Sequence, residues 1–203
     1  MRGFRIFLII LVVIVLGVVV VGWNMMSRGF SARMSPNRLE SFIAPKVRNL
    51  AIPSNARQAT NPIADSPEVF AQAMEHFADH CAVCHSADGS GDTHIGKGLF
   101  PKVPDLRQND TQDLSDGEIY YIIENGVRYT GMPAFGQGDD NGQDEDTWKL
   151  VRFIRHFPHL TPEQVQQVDQ MTPKSPMELQ QEQDIQNFLQ GGEAPLSHEH
   201  HQH

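Results

Sequence analysis

Cys81 and Cys84 are the only two cysteines in the 203-residue chain, and His85 follows the second directly, in the stretch DHCAVCHSADGSGD at residues 79–92. Cysteines two residues apart can form a redox disulfide, half of a zinc site or an anchor for haem. A structural zinc site takes four ligands, usually two such pairs or one pair with two histidines. There is no second pair, and His94, His156 and His159 do not give the finger spacing. A redox pair of the thioredoxin kind sits near a strand in a βαβ unit, whereas here it follows a helical pattern and no segment alternates as a strand. What is left is C-x-x-C-H. Its two thiols add across the two vinyl groups along one haem edge, and the adjacent histidine is held under the iron as an axial ligand. Cys81 and Cys84 are therefore expected to form thioethers and His85 to ligate iron, with one haem c per chain.

The other face of such an iron is either open to small ligands or closed by a second side chain. Met132 lies in RYTGMPAF, a polar loop where a methionine has no helix-packing role, between Gly131 and Pro133. A thioether is a soft ligand that favours ferrous iron and raises the potential. Met132 is favoured over a second imidazole from His76, His80 or His94, and Met74 reads as helix core. In LFPKVPDLR, Pro101 or Pro104 could present a stiffly held carbonyl to the other ring nitrogen of His85, the usual way a ligating imidazole is oriented.

The elements that must hold these groups are helices. SPEVFAQAMEHFADH has Ser66 as N-cap, Pro67 at the first position and an apolar stripe of Phe70, Ala73, Met74 and Phe77, so a helix runs directly into Cys81. LSDGEIYYIIENG carries a capping box, Ser115 and Glu118, and a stop at Gly126. DEDTWKLVRFIRHF has acids in its first turn, Trp148, Val151 and Phe153 or Ile154 inward, and Pro158 as its stop. Residues 86–112 and the stretch around Met132 read as loops. The expected core is all-α.

Four segments are expected. Residues 1–23 hold IFLIILVVIVLGVVVVGW, eighteen residues without charge or proline, long enough as a helix for most of a hydrocarbon layer of about 30 Å. The run exceeds a signal peptide's apolar core and offers no small-x-small cleavage site, so it reads as an uncleaved transmembrane anchor. Residues 24–65 read as a tether, because Pro36, Pro45, Pro53 and Pro62 should interrupt any helix longer than about two turns. Residues 66–158 form the domain. Residues 159–203 are polar and Gln-rich, a tail expected to be disordered or loosely docked.

Charge follows the same division. Residues 1–65 carry eight Lys and Arg against Glu40 and Asp65, residues 66–158 seven against sixteen acids, and residues 159–203 Lys174 against seven. An acidic core and tail argue against nucleic acid and for basic partners. Arg28, Arg33 and Arg38 after the apolar run outnumber Arg2 and Arg5 before it, against a cytoplasmic N-terminus. The cysteines override that count, since haem attachment to this motif happens outside the bacterial cytoplasm. The expected topology is a single pass through the inner membrane with the domain in the periplasm.

Other signals carry less. GDTHIGKG lacks the Ser or Thr of a phosphate loop, and GDDNGQDEDTW does not align with a calcium loop. The terminal His198, His200, His201 and His203 could hold zinc, copper or nickel at least weakly, a second metal site in expectation.

HCAVCHSADGSGD, GKGLFPKVPDL, LSDGEIYYIIENGVRYTGMPAF and WKLVRFIRHF, in that order, resemble the successive signatures of a class I monohaem c-type cytochrome across residues 66–158, and VRNLAIPSNARQATNP resembles the approach segment of membrane-anchored bacterial members. The resemblance implies the small cytochrome c fold with its first and last helices crossing. It also implies haem held by Cys81, Cys84, His85 and Met132, with Pro104 as the partner of His85. Ser86 departs from the pattern, standing where such proteins often have glycine. The expected function is single-electron transfer between redox partners, not catalysis. Its alternatives are a haem subunit of a larger respiratory oxidoreductase, or a haem sensor or metal-handling protein using the histidine tail.

Overall fold

The computed structural model describes residues 2–29, 31, 32, 34, 36–136, 144–174 and 176–191. No strand occurs among them. The first helix, α1 (Arg2–Arg28), is the one described helix long and apolar enough to cross a membrane, and none of its span is buried against the rest of the chain.

The helix-breaking role given to the prolines of residues 24–65 is not met. α2 (Arg38–Ala51) runs for 14 residues with Pro45 inside it. Asn37 caps it, its side chain accepting from the Leu39 and Glu40 amides at 2.9 Å while Glu40 reaches back to the Asn37 amide at 2.8 Å. Pro45 removes the donor for the Ser41 carbonyl, but Ser41 is exposed and water can replace it. α3 (Ser54–Gln58) follows after the buried Ile52. From there the chain is fastened to the domain. The Asn61 amide donates to the Trp148 carbonyl at 2.8 Å and Arg152 Nε to the Ile63 carbonyl at 2.8 Å.

The domain is built on α4 (Pro67–His80) packed across α9 (Glu145–His156). Ser66 caps α4 by accepting from the Val69 amide, and the stripe Ala73, Met74, Phe77 is buried. Phe77 lies 5.4 Å from Phe153 and 4.9 Å from Phe157, ring centre to ring centre, separations at which aromatic pairs add to simple burial. Between the two long helices come α5 (Ala82–His85), α6 (His94–Gly98), α7 (Asn109–Gln112) and α8 (Asp116–Asn125). So the expected loop of residues 86–112 holds two single-turn helices. α8 joins the core through Tyr120, stacked on Trp148 at 4.2 Å, and begins with the expected Ser115–Glu118 capping box. Arg155 ties the end of α9 to the start of α8, donating to Asp116 at 2.9 Å and to the Gln112 carbonyl at 2.7 Å.

After a 3₁₀ turn (Phe157–His159), α10 (Pro162–Met171) packs on α4 and buries Val168 completely. This stretch of the expected loose tail is thus docked, through one apolar side chain in place of a broad stripe. Thr161 and Gln164 form its capping box. α11 (Pro176–Leu189) follows. The histidines at 198, 200, 201 and 203 lie outside the described residues.

Candidate functional site

α4 delivers the motif. Cys81 is its C-cap, the Cys81 amide donating to the Phe77 carbonyl at 2.8 Å, and the single turn of α5 then places Cys84 and His85 one turn on, their amides donating to the Cys81 carbonyl at 3.1 and 2.9 Å. Both cysteines are free and half-buried. Burial, and then the neighbouring Cys84, pushes the Cys81 thiol up to about 12, and burial raises Cys84. Nothing cationic activates these sulfurs. A reactive redox pair needs a thiolate stabilised by neighbouring positive charge, and burial here works in the opposite direction.

Burial depresses the His85 imidazole to about 4, so it is neutral throughout the physiological range. The Pro104 backbone works weakly the other way. That contact falls short of ordinary hydrogen-bond geometry, and Nδ1 is buried with no partner that meets it. A neutral imidazole against a proline backbone, beside two uncharged thiols, matches the donor set of a covalently attached haem. Two thioether positions and one axial nitrogen come from a single turn of chain. The residues fit the group.

The segment after His85 is held by backbone bonds and one arginine. Ser86 sits at φ 67°, ψ 154°, a conformation that only glycine adopts freely. The Gly91 amide returns to the His85 carbonyl at 2.8 Å, and the Leu106 amide to the Gly89 carbonyl at 2.8 Å. Arg107 spans the base of the loop, its guanidinium 2.8 Å from Asp88 and forked onto both oxygens of Asp105 at 2.8 Å. The Arg107 hydrogen bond holds the Asp105 carboxyl down to about 2. Thr93 caps α6 and donates to the Cys84 carbonyl at 3.3 Å, and Gly96 packs so closely that a Cβ would stand 2.8 Å from that oxygen.

Met132 is fixed from the other side. The Val127 amide donates to its carbonyl at 3.1 Å, and its own amide donates to Thr130 Oγ1 at 3.1 Å. The Phe135 amide returns to the Ile123 carbonyl at 3.0 Å, closing the loop onto the end of α8. Gly126, at φ 63°, lets this happen, since a Cβ there would meet the Pro133 carbonyl carbon at 2.6 Å. The neighbouring Gly131 lies under the Leu99 side chain, which a Cβ would strike at 2.6 Å. Leu99 directly follows α6, and α6 packs on Cys84. A continuous set of contacts therefore brings the Met132 loop to the segment lying on the motif.

Of the competing histidines, His80 lies edge to face with Phe135 of the Met132 loop at 6.5 Å. His76 and His80 pack edge to face at 5.0 Å beside a shallow pocket shared with Asp146 and Lys149, and His94 is exposed at the start of α6. Sequence reasoning missed the Arg107 fork and the buried Glu124, which accepts from Thr147 at 2.6 Å. For the fork, the alternating acids of DGSGD and PDLR were a signal. For Glu124 there was only its register on α8.

Residues 68–154 match the family model for cytochrome C oxidase, cbb3-type, subunit III. No curated protein matches the chain. The matched span begins in α4, ends in α9 and contains Cys81, Cys84, His85, Pro104 and Met132. The match is to a class I, monohaem-like c-type cytochrome domain, a kind that binds haem covalently and transfers electrons, and the matched span is all-helical among its described residues.

Proposed function

We propose that the chain is a membrane-tethered carrier of single electrons. Cys81 and Cys84 attach one haem c, His85 and Met132 ligate its iron, α1 anchors the chain in the bacterial inner membrane with its N-terminus in the cytoplasm, and the domain lies in the periplasm. The observation that carries the reading is that Cys81, Cys84 and His85 stand together at the end of α4 within one turn, with the half-buried His85 turned toward the Pro104 backbone. One such motif in a chain of two cysteines provides for one haem.

When bound, the haem supplies an iron that alternates between the ferric and ferrous states. The chain's own residues do the rest. Nδ1 of His85 lies toward the Pro104 backbone without a hydrogen bond of ordinary geometry; a small closure of that contact would fix the tautomer and leave Nε2 for the metal. The Thr130 and Val127 bonds hold the Met132 loop in one conformation, so little has to rearrange between oxidation states. The thioether favours the reduced form. The Arg107 fork keeps the loop after His85 closed over the site.

A second reading has a specific support. The matched family is described as an oxidase subunit, so the domain could serve as the haem subunit of a respiratory complex. Co-purification with membrane partners separates a resident subunit from a free carrier. The test of the central reading is the haem content of the full chain, exported together with a haem-maturation system. One haem per chain, retained through denaturing electrophoresis and lost in Cys81→Ser/Cys84→Ser, is expected. Two haems, or none retained, overturns it.

A further inference from the structure

α2 has an apolar face that nothing among the described residues covers. None of its residues is buried, and Leu39, Phe42, Val47 and Leu50 are 65%, 61%, 57% and 76% exposed. With Ile43 these side chains fall within an arc of about 140° at helical spacing. The opposite side is committed to the cytochrome domain. Arg48 points there, half-buried, towards the carboxylates of Asp110 and Glu118. At the helix end Arg57 donates to the Asn49 carbonyl and Ile52 is buried. Ser115 then holds the Arg57 carbonyl at 2.9 Å. The apolar arc therefore faces away from the domain.

Two observations say what covers it. The first is continuity, because only residues 29–37 separate α2 from α1, a reach of at most about 30 Å. The second is charge. Arg38 flanks the arc and Lys46 lies inside it, its ammonium folded 3.7 Å over the Phe42 ring, with Glu40 the one acid of the helix. A long cationic side chain within an apolar stripe suits an interface, where its stem stays in apolar surroundings and its charge reaches the headgroups. A groove on a protein partner would have to bury that ammonium.

We infer that α2 is an interfacial helix that lies in the surface of the same bilayer as α1, with Leu39, Phe42, Ile43, Val47 and Leu50 in the acyl boundary and Arg38 and Lys46 on anionic phospholipid headgroups. This rests on α1 being a membrane anchor. It alters what the segment after the anchor does. Since α2 is fastened to the domain at Ile52 and Arg57, seating it fixes the cytochrome domain against the membrane, and the domain does not swing on a forty-residue tether.

Nitroxide labels on the full holoprotein in nanodiscs test this, because both native cysteines are consumed by haem in the reading above and an added cysteine is the sole free thiol. Ile43→Cys and Val47→Cys report the apolar arc, Ser41→Cys the opposite side and Val15→Cys the anchor. In reduced protein, labels at 43 and 47 should be relaxed by oxygen in preference to a water-soluble nickel chelate, with the label at 41 reversed. The depth at 43 and 47 should decrease when phosphatidylglycerol is replaced by phosphatidylcholine. A label at 15 in lipid with 43 and 47 as nickel-accessible as 41 overturns the inference and leaves the anchor standing. Labels at 43 and 47 shielded from both reagents, in discs and in detergent alike, mean that protein covers the face, and this also overturns it. Depth indifferent to phosphatidylglycerol removes the anionic headgroups from it. A label at 15 outside the lipid sinks the anchor reading and the inference together.

Discussion

Gly89→Ala tests whether the loop after the haem motif is locked to the hydrophobic core. Gly89 is buried at φ 75°, and a Cβ built there would stand 2.6 Å from Cδ1 of Phe157. Phe157 has nowhere to retreat, since its ring lies 4.9 Å from Phe77 and 5.1 Å from Phe153. The left-handed backbone costs an alanine about 1–2 kcal/mol, and forcing a methyl into a packed core costs about 1–3 kcal/mol more. The sum is a destabilisation of about 2–5 kcal/mol, which for a domain of this size lowers Tm by roughly 10–40 °C. The assay is a reversible thermal melt of the full holoprotein followed by far-ultraviolet circular dichroism, with Phe157→Leu and the double variant completing a cycle. Shortening Phe157 should recover about 1–2 kcal/mol of the clash as a coupling between the two sites. A Gly89→Ala protein within about 0.5 kcal/mol of the parent, or a cycle without coupling, would refute the reasoning.

Ser86→Gly should stabilise the holoprotein by up to about 1 kcal/mol, because relief of the strained backbone exceeds the lost hydrogen bond to Asp88; a lowered Tm contradicts this. Asp105 is held below its unfolded pKa chiefly by its hydrogen bond to Arg107, so its contribution is present above about pH 4 and disappears as pH falls through about 2. Arg107→Gln should remove about 1 kcal/mol near neutrality, where the arginine is 37% exposed, and move the acid unfolding midpoint upward, with no change below pH 2; equal destabilisation at every pH would assign the effect to packing instead. Val168→Ala should cost about 2 kcal/mol and increase amide exchange across α10, whereas an unchanged exchange pattern would mean that α10 is not held by this contact.

The C-x-x-C-H motif is legible because its spacing is local. Cys81, Cys84 and His85 are within one helical turn, and no tertiary contact is needed to recognise them. α4, α8 and α9 were legible for a similar reason, each marked by local signals: the Ser66 cap and apolar stripe of α4, the Ser115–Glu118 box and Gly126 of α8, and the first-turn acids, inward Trp148 and Pro158 of α9. α2 was hidden by Pro45, whose cost is small only because the orphaned Ser41 carbonyl faces water. The docking of α10 was hidden because a single valine makes it, and no periodic signal records one side chain. Ser86 could be flagged only as a departure from a pattern. Its positive φ shows why glycine is usual there, since the chain must reverse directly after the histidine for the Gly91 amide to reach the His85 carbonyl. The Arg107 fork joins residues 88, 105 and 107, a contact that appears only when the loop has closed.

In the proposed carrier, His85 and Met132 hold one covalent haem as an electron-transfer centre. This ligation is tested most directly by the optical spectrum of the ferric full-chain holoprotein, beside Met132→Ala. A methionine-to-iron charge-transfer band is expected in the native protein and not in the variant, with covalent haem retained in both. Covalent haem without that band in the native protein would contradict this ligation and hand the sixth position to another ligand or to solvent.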